Sequence, residues 1–192
     1  MGRQSGALPP VRGGGKGSSG TAPPRIKVFL SHSGRDAQRA TRLAAALKEE
    51  LRPYSGCEQV DVFNTSEPEH RFGGLEARIA AGDAWLPAWE TYEEELRAYL
   101  SRHLLDSSAY VLLVTPESLS LASRWVEFEI EAARARALEG HVFIPCVQGG
   151  ATLAALPRGA KEFQGIALDG HENSDPAEGV RALARAIANP VR

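Results

Sequence analysis

Trp125 and Glu129 lie four residues apart, in a segment whose apolar spacing predicts a helix from 123 to 138. On a helix the two side chains share one face, one turn apart. Both lie near the start of that helix, where its dipole favours an anion. Val126 and Ile130 define the predicted buried face, so Trp125 and Glu129 flank it and face a crevice. Taken singly, Glu129 also fits a surface carboxylate, and Trp125 a core or rim aromatic.

A single carboxylate suffices for one kind of reaction, the cleavage of an N-glycosidic bond to a cationic base. An ordinary glycosidase needs two carboxylates, because one of them must protonate the leaving oxygen. Nicotinamide leaves NAD⁺ as a neutral base, so that acid is not required. Glu129 would bind the ribose hydroxyls and stabilise the oxocarbenium-like transition state, while Trp125 excludes water. The neighbouring Glu127 is interpreted as a first-turn acid without a chemical role.

A second group of candidate residues lies between the first predicted strand and the following helix. It offers hydroxyls, backbone N–H groups and one guanidinium near a helix N-terminus, which suits phosphate and ribose. Helix capping by Ser33 or Asp36 fits nearly as well. The loop has neither a Gly-x-Gly-x-x-Gly nor a Gly-Lys-Ser/Thr pattern, so it supports neither a Rossmann site nor a P-loop. The predicted substrate contacts in this loop are Ser31, His32, Ser33, Arg35 and Asp36. Three further predicted contacts are Phe63 in the second strand and Ser123 and Trp125 in the helix of Glu129.

The loop from 64 to 74 is the third candidate segment. Its eleven residues exceed the usual connection between a strand and a helix, and long loops in compact domains are often functional. A lid, an assembly surface and an inert excursion all remain open. No metal site is predicted, because Cys57 and Cys146 fit small buried apolar residues and no paired Cys/His spacing occurs.

Alternating strand and helix signals position these residues. Apolar runs predict strands at 26–30, 57–63, 109–114, 141–147 and 166–168. Helical spacing predicts helices after residue 36 with Pro53 as the end, and then at 75–81, 86–105, 123–138 and near 180–187. This order predicts an α/β fold with a doubly wound, mainly parallel five-stranded sheet in three layers. Ligands bind beyond the carboxyl ends of such strands, which selects 31–36, 64–74 and 115–129.

Composition narrows the functional classes. The chain has 192 residues and a net charge of −2; its first 24 residues hold three basic side chains and no acid, which leaves the remainder at −5. A mildly acidic body argues against nucleic acid and anionic membranes as partners. Residues 1–24 are rich in Gly, Pro and Ser and are expected to be a disordered leader, followed by a single domain from 25 to 192. No apolar run suits a membrane span or a signal peptide, so the cytoplasm is the expected location.

These segments together resemble the TIR (Toll/interleukin-1 receptor-like) domain family. The run Val28 to Asp36, VFLSHSGRD, is similar to the first strand and loop of that family, and Asp106 to Glu129 is similar to its third strand and following helix. The Trp-x-x-x-Glu pair matches the motif of the enzymatic members. The resemblance covers about residues 26–147 and departs from the family in the 64–74 loop and between Gly82 and Leu105.

The resemblance implies a flavodoxin-like TIR fold and an NAD⁺ glycohydrolase or cyclase with Glu129 as its catalytic carboxylate and Trp125 as its motif partner. It implies NAD⁺ or a related nucleotide as substrate rather than cofactor, no metal, self-association with other TIR domains, and a role in bacterial immunity to phage. Two alternatives stay open. One is a non-catalytic TIR interaction module, and the other is an enzyme similar to nucleoside deoxyribosyltransferases, which would also use one carboxylate.

Overall fold

The computed structural model describes residues 25–55, 60–67, 70, 85–119, 124–169 and 176–189. Within these residues five parallel strands form one sheet, in the order β2-β1-β3-β4-β5. The predicted doubly wound parallel sheet is confirmed. Its winding reverses between β1 and β3, the switch point beside which ligands bind in such folds. The strands are β1 (Ile26–Ser31), β2 (Val60–Phe63), β3 (Ala109–Val114), β4 (Val142–Val147) and β5 (Ile166–Ala167).

Helices cover both faces of the sheet, which confirms the three predicted layers. The first and last helices pack on one face, and the second and fourth pack on the other. None of the helices in the described ranges is long and apolar enough to cross a membrane. The helices are α1 (Ala37–Ser55), α2 (Trp85–Leu105), α3 (Pro116–Leu119), α4 (Arg124–Leu138) and α5 (Pro176–Ala188).

The alternation of side chains along β1 decides which residues meet which helices. Successive side chains of a strand point to opposite faces, so Val28 and Leu30 pack towards α1 and α5. Phe29 packs on the other face, with α2 and α4. Ser31 therefore falls on the face of α2 and α4. All six residues of β3 are buried, as expected for a central strand covered on both sides.

One predicted helix end needs correction, and one helix was not predicted. The prediction that Pro53 ends the first helix is wrong, because α1 continues to Ser55. Proline inside a helix removes one backbone hydrogen bond and its ring crowds the carbonyl of residue i−4, and the helix ends two residues after Pro53. The strand predicted at 109–114 ends there, and Pro116 then begins the unpredicted α3. Proline suits the first position of a helix, because an N–H there has no partner within the helix. The predicted strand residues 57–59 and helix 75–81 lie outside the described residues.

The edge strand β5, which pairs with β4, is very short. Pro145 lies inside β4 and has no N–H to donate to a neighbouring strand. Its carbonyl oxygen faces Gly165, the residue just before β5. Pairing between the two strands begins only at Cys146 and covers two residues, so β5 is confirmed but is limited to Ile166–Ala167.

Candidate active site at the carboxyl edge of the sheet

Glu129 lies in the second turn of α4, and its side chain turns towards the sheet. The residue is 7% exposed and lies next to the buried Ile130. It therefore points further into the protein than the predicted position on the flank of the buried face. Its Oε2 accepts a hydrogen bond from the Ser31 hydroxyl, at the carboxyl end of β1. The fold thus brings together two predicted site residues that are 98 positions apart in the chain.

Burial changes the acidity of this carboxyl group. It raises the pKa of Glu129 from 4.5 to about 7, because the charged form loses its hydration. Ser31 and Tyr110 act in the opposite direction, since their hydroxyls stabilise the charged form. The Glu129 carboxyl group therefore titrates near neutral pH, the range in which a catalytic carboxylate must be available.

Tyr110 is a site residue that the sequence analysis missed. It is the second residue of β3, and its ring stacks on Phe29, with centroids 5.5 Å apart, and meets Phe143 edge-on. Burial and the neighbouring Glu129 charge raise the pKa of its phenol well above the ordinary value. A tyrosine inside a wholly buried strand needs a polar partner for its hydroxyl. The tyrosine hydroxyl in the otherwise apolar run AYVLLV could therefore have predicted a polar partner at this position.

The loop after β1 is held by a buried carboxylate that bridges the switch point, an arrangement we call the Asp36 clasp. The carboxylate of Asp36 is fully buried and accepts hydrogen bonds from Ser33, at 2.7 Å, and from Thr115, at 2.9 Å to each oxygen. Arg39 donates to it at 3.1 Å and also binds Glu117 in α3, at 2.9 Å. The clasp therefore ties the loop after β1 to the loop after β3.

The Asp36 clasp bears on two predicted substrate contacts. Ser33 stands at the N-cap of a short 3₁₀ helix, Gly34–Asp36, but its hydroxyl binds the Asp36 side chain and no backbone N–H. Asp36 is likewise occupied by protein donors. The Ser33 hydroxyl and the Asp36 carboxylate thus stabilise the loop after β1. A direct contact of either group with a substrate stays a prediction. Thr115, which completes the clasp, was not among the predicted residues.

His32 and Arg35 flank the clasp. The His32 ring is half-buried, with Nε2 hydrogen-bonded to the Ser66 hydroxyl and Nδ1 3.5 Å from the Leu30 carbonyl oxygen. Loss of hydration lowers the pKa of His32, so the neutral ring is favoured. Ser66 belongs to the predicted 64–74 loop, of which residues 64–67 and 70 are described. Arg35 is exposed in the loop after β1, and its contact with a substrate stays a prediction.

Phe63, the site residue predicted from the second strand, belongs to the aromatic core. Phe63 is 1% exposed and is enclosed by aromatic rings, including His103 stacked at 3.9 Å and Phe29 at 5.1 Å. Its ring therefore belongs to the core behind the site. Ser123 and the side chain of Trp125 lie outside what the structure describes. Among the described residues no group of three metal-binding side chains occurs.

Comparison with known proteins supports the fold. No family model and no curated protein matches the chain. Among solved structures it is similar to a metazoan TIR-STING receptor from C. gigas, determined in complex with 2',3'-cGAMP, at 16% sequence identity and a TM-score of 0.52. The match covers 85% of this chain and 40% of that one, so the chain spans less than half of the length of the protein it resembles. At this identity the likeness establishes a TIR-like α/β fold.

Proposed function

We propose that this chain is a TIR-type enzyme that cleaves the bond between nicotinamide and ribose in NAD⁺, with Glu129 as the catalytic carboxylate. One observation carries the proposal: the Glu129 carboxylate is buried at the carboxyl edge of the sheet, beside the switch point, and is held there by the Ser31 hydroxyl. The resemblance of the Trp-x-x-x-Glu segment to enzymatic TIR domains supports it. The enzyme would act as a glycohydrolase or a cyclase, in bacterial immune signalling against phage or in NAD⁺ depletion.

The proposed reaction breaks the bond between C1′ of the ribose and the pyridinium nitrogen. The bonding electron pair moves to that nitrogen and neutralises its charge, so nicotinamide leaves without a proton. The ribosyl carbon becomes an oxocarbenium-like centre, which a nearby carboxylate stabilises in a water-poor environment. Water then captures this centre in hydrolysis, or a group of the same nucleotide does so in cyclisation, and the attacking atom releases a proton where it carries one.

The residues around Glu129 fit supporting roles in this reaction. A carboxylate has about four lone-pair positions, so the bond from Ser31 to Oε2 leaves capacity for a ribose hydroxyl. Exposed Arg35 would bind the pyrophosphate. The Asp36 clasp fixes the loop that carries Arg35 and that follows Ser31 directly. TIR domains of this type would self-associate, and assembly of several copies belongs to the proposal.

The test is to incubate the purified chain with NAD⁺ and resolve the products by chromatography and mass spectrometry. Glu129→Gln should slow nicotinamide release by about 100-fold or more, the usual loss when a transition-state electrostatic group is removed. Glu127→Gln is the matched control, because Glu127 lies two residues away on the same helix and is exposed. Its rate should equal that of the wild type.

Other outcomes would separate the alternatives. Full activity of Glu129→Gln would refute the site. No nicotinamide release at high, assembly-promoting concentration, together with self-association in light scattering, would support a non-catalytic interaction module. Release of bases from nucleosides but not from NAD⁺ would support an enzyme similar to nucleoside deoxyribosyltransferases.

A further inference from the structure

Two hydroxyls on the sheet surface face the Glu129 carboxylate from neighbouring strands. Ser31 belongs to β1 and Tyr110 to the neighbouring β3. In the pairing of these two strands, Phe29 lies opposite Tyr110 and Ser31 lies opposite Leu112. In this register the Ser31 and Tyr110 side chains lie on the same face, the one that α4 covers. The Ser31 hydroxyl donates to Oε2 of Glu129, and the phenol of Tyr110 interacts with both other groups.

The Tyr110 hydroxyl is placed for a bond that is not complete in this structure. It is buried, and none of the described protein atoms meets it with hydrogen-bond geometry. A buried hydroxyl without a partner is destabilising, because it has lost its hydration and gained no protein bond. Its ring has little freedom, because Phe29 and Phe143 pack against it at 5.5 and 5.0 Å. The carboxylate it faces is the group that gains most from a second donor.

We propose that Ser31 and Tyr110 are positioning residues: the Ser31 hydroxyl holds the Glu129 carboxylate on the sheet surface by a hydrogen bond, and the Tyr110 hydroxyl supplies a second donor to its ionised form. Neither residue touches the substrate in this proposal. Their effect on NAD⁺ cleavage rests on the proposed function, whereas their effect on the ionisation of Glu129 does not. Ser31 was predicted from the sequence as a substrate contact; in this proposal its hydroxyl instead holds the Glu129 carboxylate.

The electrostatic surroundings of Glu129 agree with this assignment. Burial raises the pKa of Glu129, and the hydroxyls of Ser31 and Tyr110 are the groups that lower it. From β3 the titratable side chain that faces Glu129 is Tyr110, and from β1 it is the uncharged Ser31 that does so. No charged side chain of the described helices shifts the pKa of Glu129. The raised pKa of Tyr110 keeps its phenol protonated, and therefore a donor, throughout the working range.

The experiment compares Tyr110→Phe and Ser31→Ala with the wild type in the full chain. The direct readout is the titration of Glu129 by carboxyl-carbon NMR, assigned with Glu129→Gln, and the second is the pH profile of nicotinamide release. The matched control is Tyr99→Phe, which removes a hydroxyl that donates to the His70 carbonyl oxygen at 2.9 Å, away from Glu129. Ser31→Thr keeps the hydroxyl and should restore the behaviour of the wild type.

Loss of either donor should raise the pKa of Glu129 above its wild-type value. A rise of one pKa unit would slow nicotinamide release about tenfold at pH values below that pKa, with kcat recovering at alkaline pH and KM within about twofold. The titration of Tyr99→Phe should match the wild type. Identical titrations of wild type and Tyr110→Phe would overturn the role of Tyr110, as would an equal change in Tyr99→Phe. Because NMR requires no turnover, an inactive protein would contradict the proposed function and leave this test decisive.

Discussion

Replacing Glu129 by glutamine should stabilise the protein at about pH 8 and leave its stability unchanged at about pH 4. The reason is the raised pKa of the buried carboxyl group, about 7 in the folded protein against 4.5 when it is unperturbed. The folded state binds this proton more tightly than the unfolded chain does. The free energy of unfolding therefore falls as the pH rises from about 4.5 to about 7, where the folded protein must bury a charge.

The size of the effect follows from the two pKa values. At about 1.4 kcal/mol per pKa unit, a pKa raised from 4.5 to about 7 corresponds to about 3 kcal/mol of lost stability above pH 7. Most domains are stable by only about 5–15 kcal/mol, so one side chain would remove a substantial fraction. Glutamine is uncharged at every pH and its amide can bind both hydroxyls, so it escapes this loss.

Urea unfolding of wild type and Glu129→Gln at about pH 4, 6 and 8 measures the prediction. All other titrating groups are common to the two proteins, so their contributions cancel in the difference between the two free energies. The difference should grow from near zero to about 3 kcal/mol in favour of the variant. Glu127→Gln, at an exposed position of the same helix, should show no such growth.

A constant difference between wild type and Glu129→Gln across this pH range would refute the reasoning. It would mean that the folded protein does not bury the ionised carboxylate, either because water reaches it or because the side chain turns outwards. A variant that is less stable than the wild type at about pH 8 would be a stronger contradiction, since the charged form would then be the favoured one.

Two further predictions concern the packing around the site. Thr115→Val keeps the shape of the side chain but removes the hydroxyl that donates to Asp36; urea unfolding should show a loss of about 1–3 kcal/mol, and unchanged stability would contradict a structural role of the clasp. Gly179→Ala, in α5, would place a Cβ 2.5 Å from the backbone oxygen of Leu168, so we expect a loss of about 1–3 kcal/mol. Gly34→Ala, where an added Cβ meets nothing within 4 Å, should stay within about 0.5 kcal/mol of the wild type in the same assay.

Periodicity was sufficient to predict the sheet and its layers. The wholly apolar run at 109–114 predicted a central strand, and β3 spans those residues with all six side chains buried. The helix containing Glu129 was predicted from 123 and begins at Arg124. These features depend on patterns within a few residues, which is the range over which sequence reasoning is strongest.

Contacts between residues far apart in the chain could not be predicted from periodicity. Glu129 was found by its spacing from Trp125, but its turn towards Ser31 depends on a contact across 98 positions. Asp36 and Thr115, 79 positions apart, each fit a local capping or turn role until the sheet brings them together. Tyr110 needs the register of β1 and β3 to reveal that its hydroxyl faces a carboxylate.

The short β5 also affects how copies of this chain meet. An exposed sheet edge offers unpaired backbone groups to a neighbouring chain and can promote aggregation. β5 offers only two paired residues, and Pro145 behind it cannot donate a backbone hydrogen bond. Growth of the sheet from molecule to molecule at this edge is therefore disfavoured. Self-association at this end of the sheet would instead use helices and loops, and it would leave Glu129, which α4 holds against Ser31 of β1, undisturbed in an assembly.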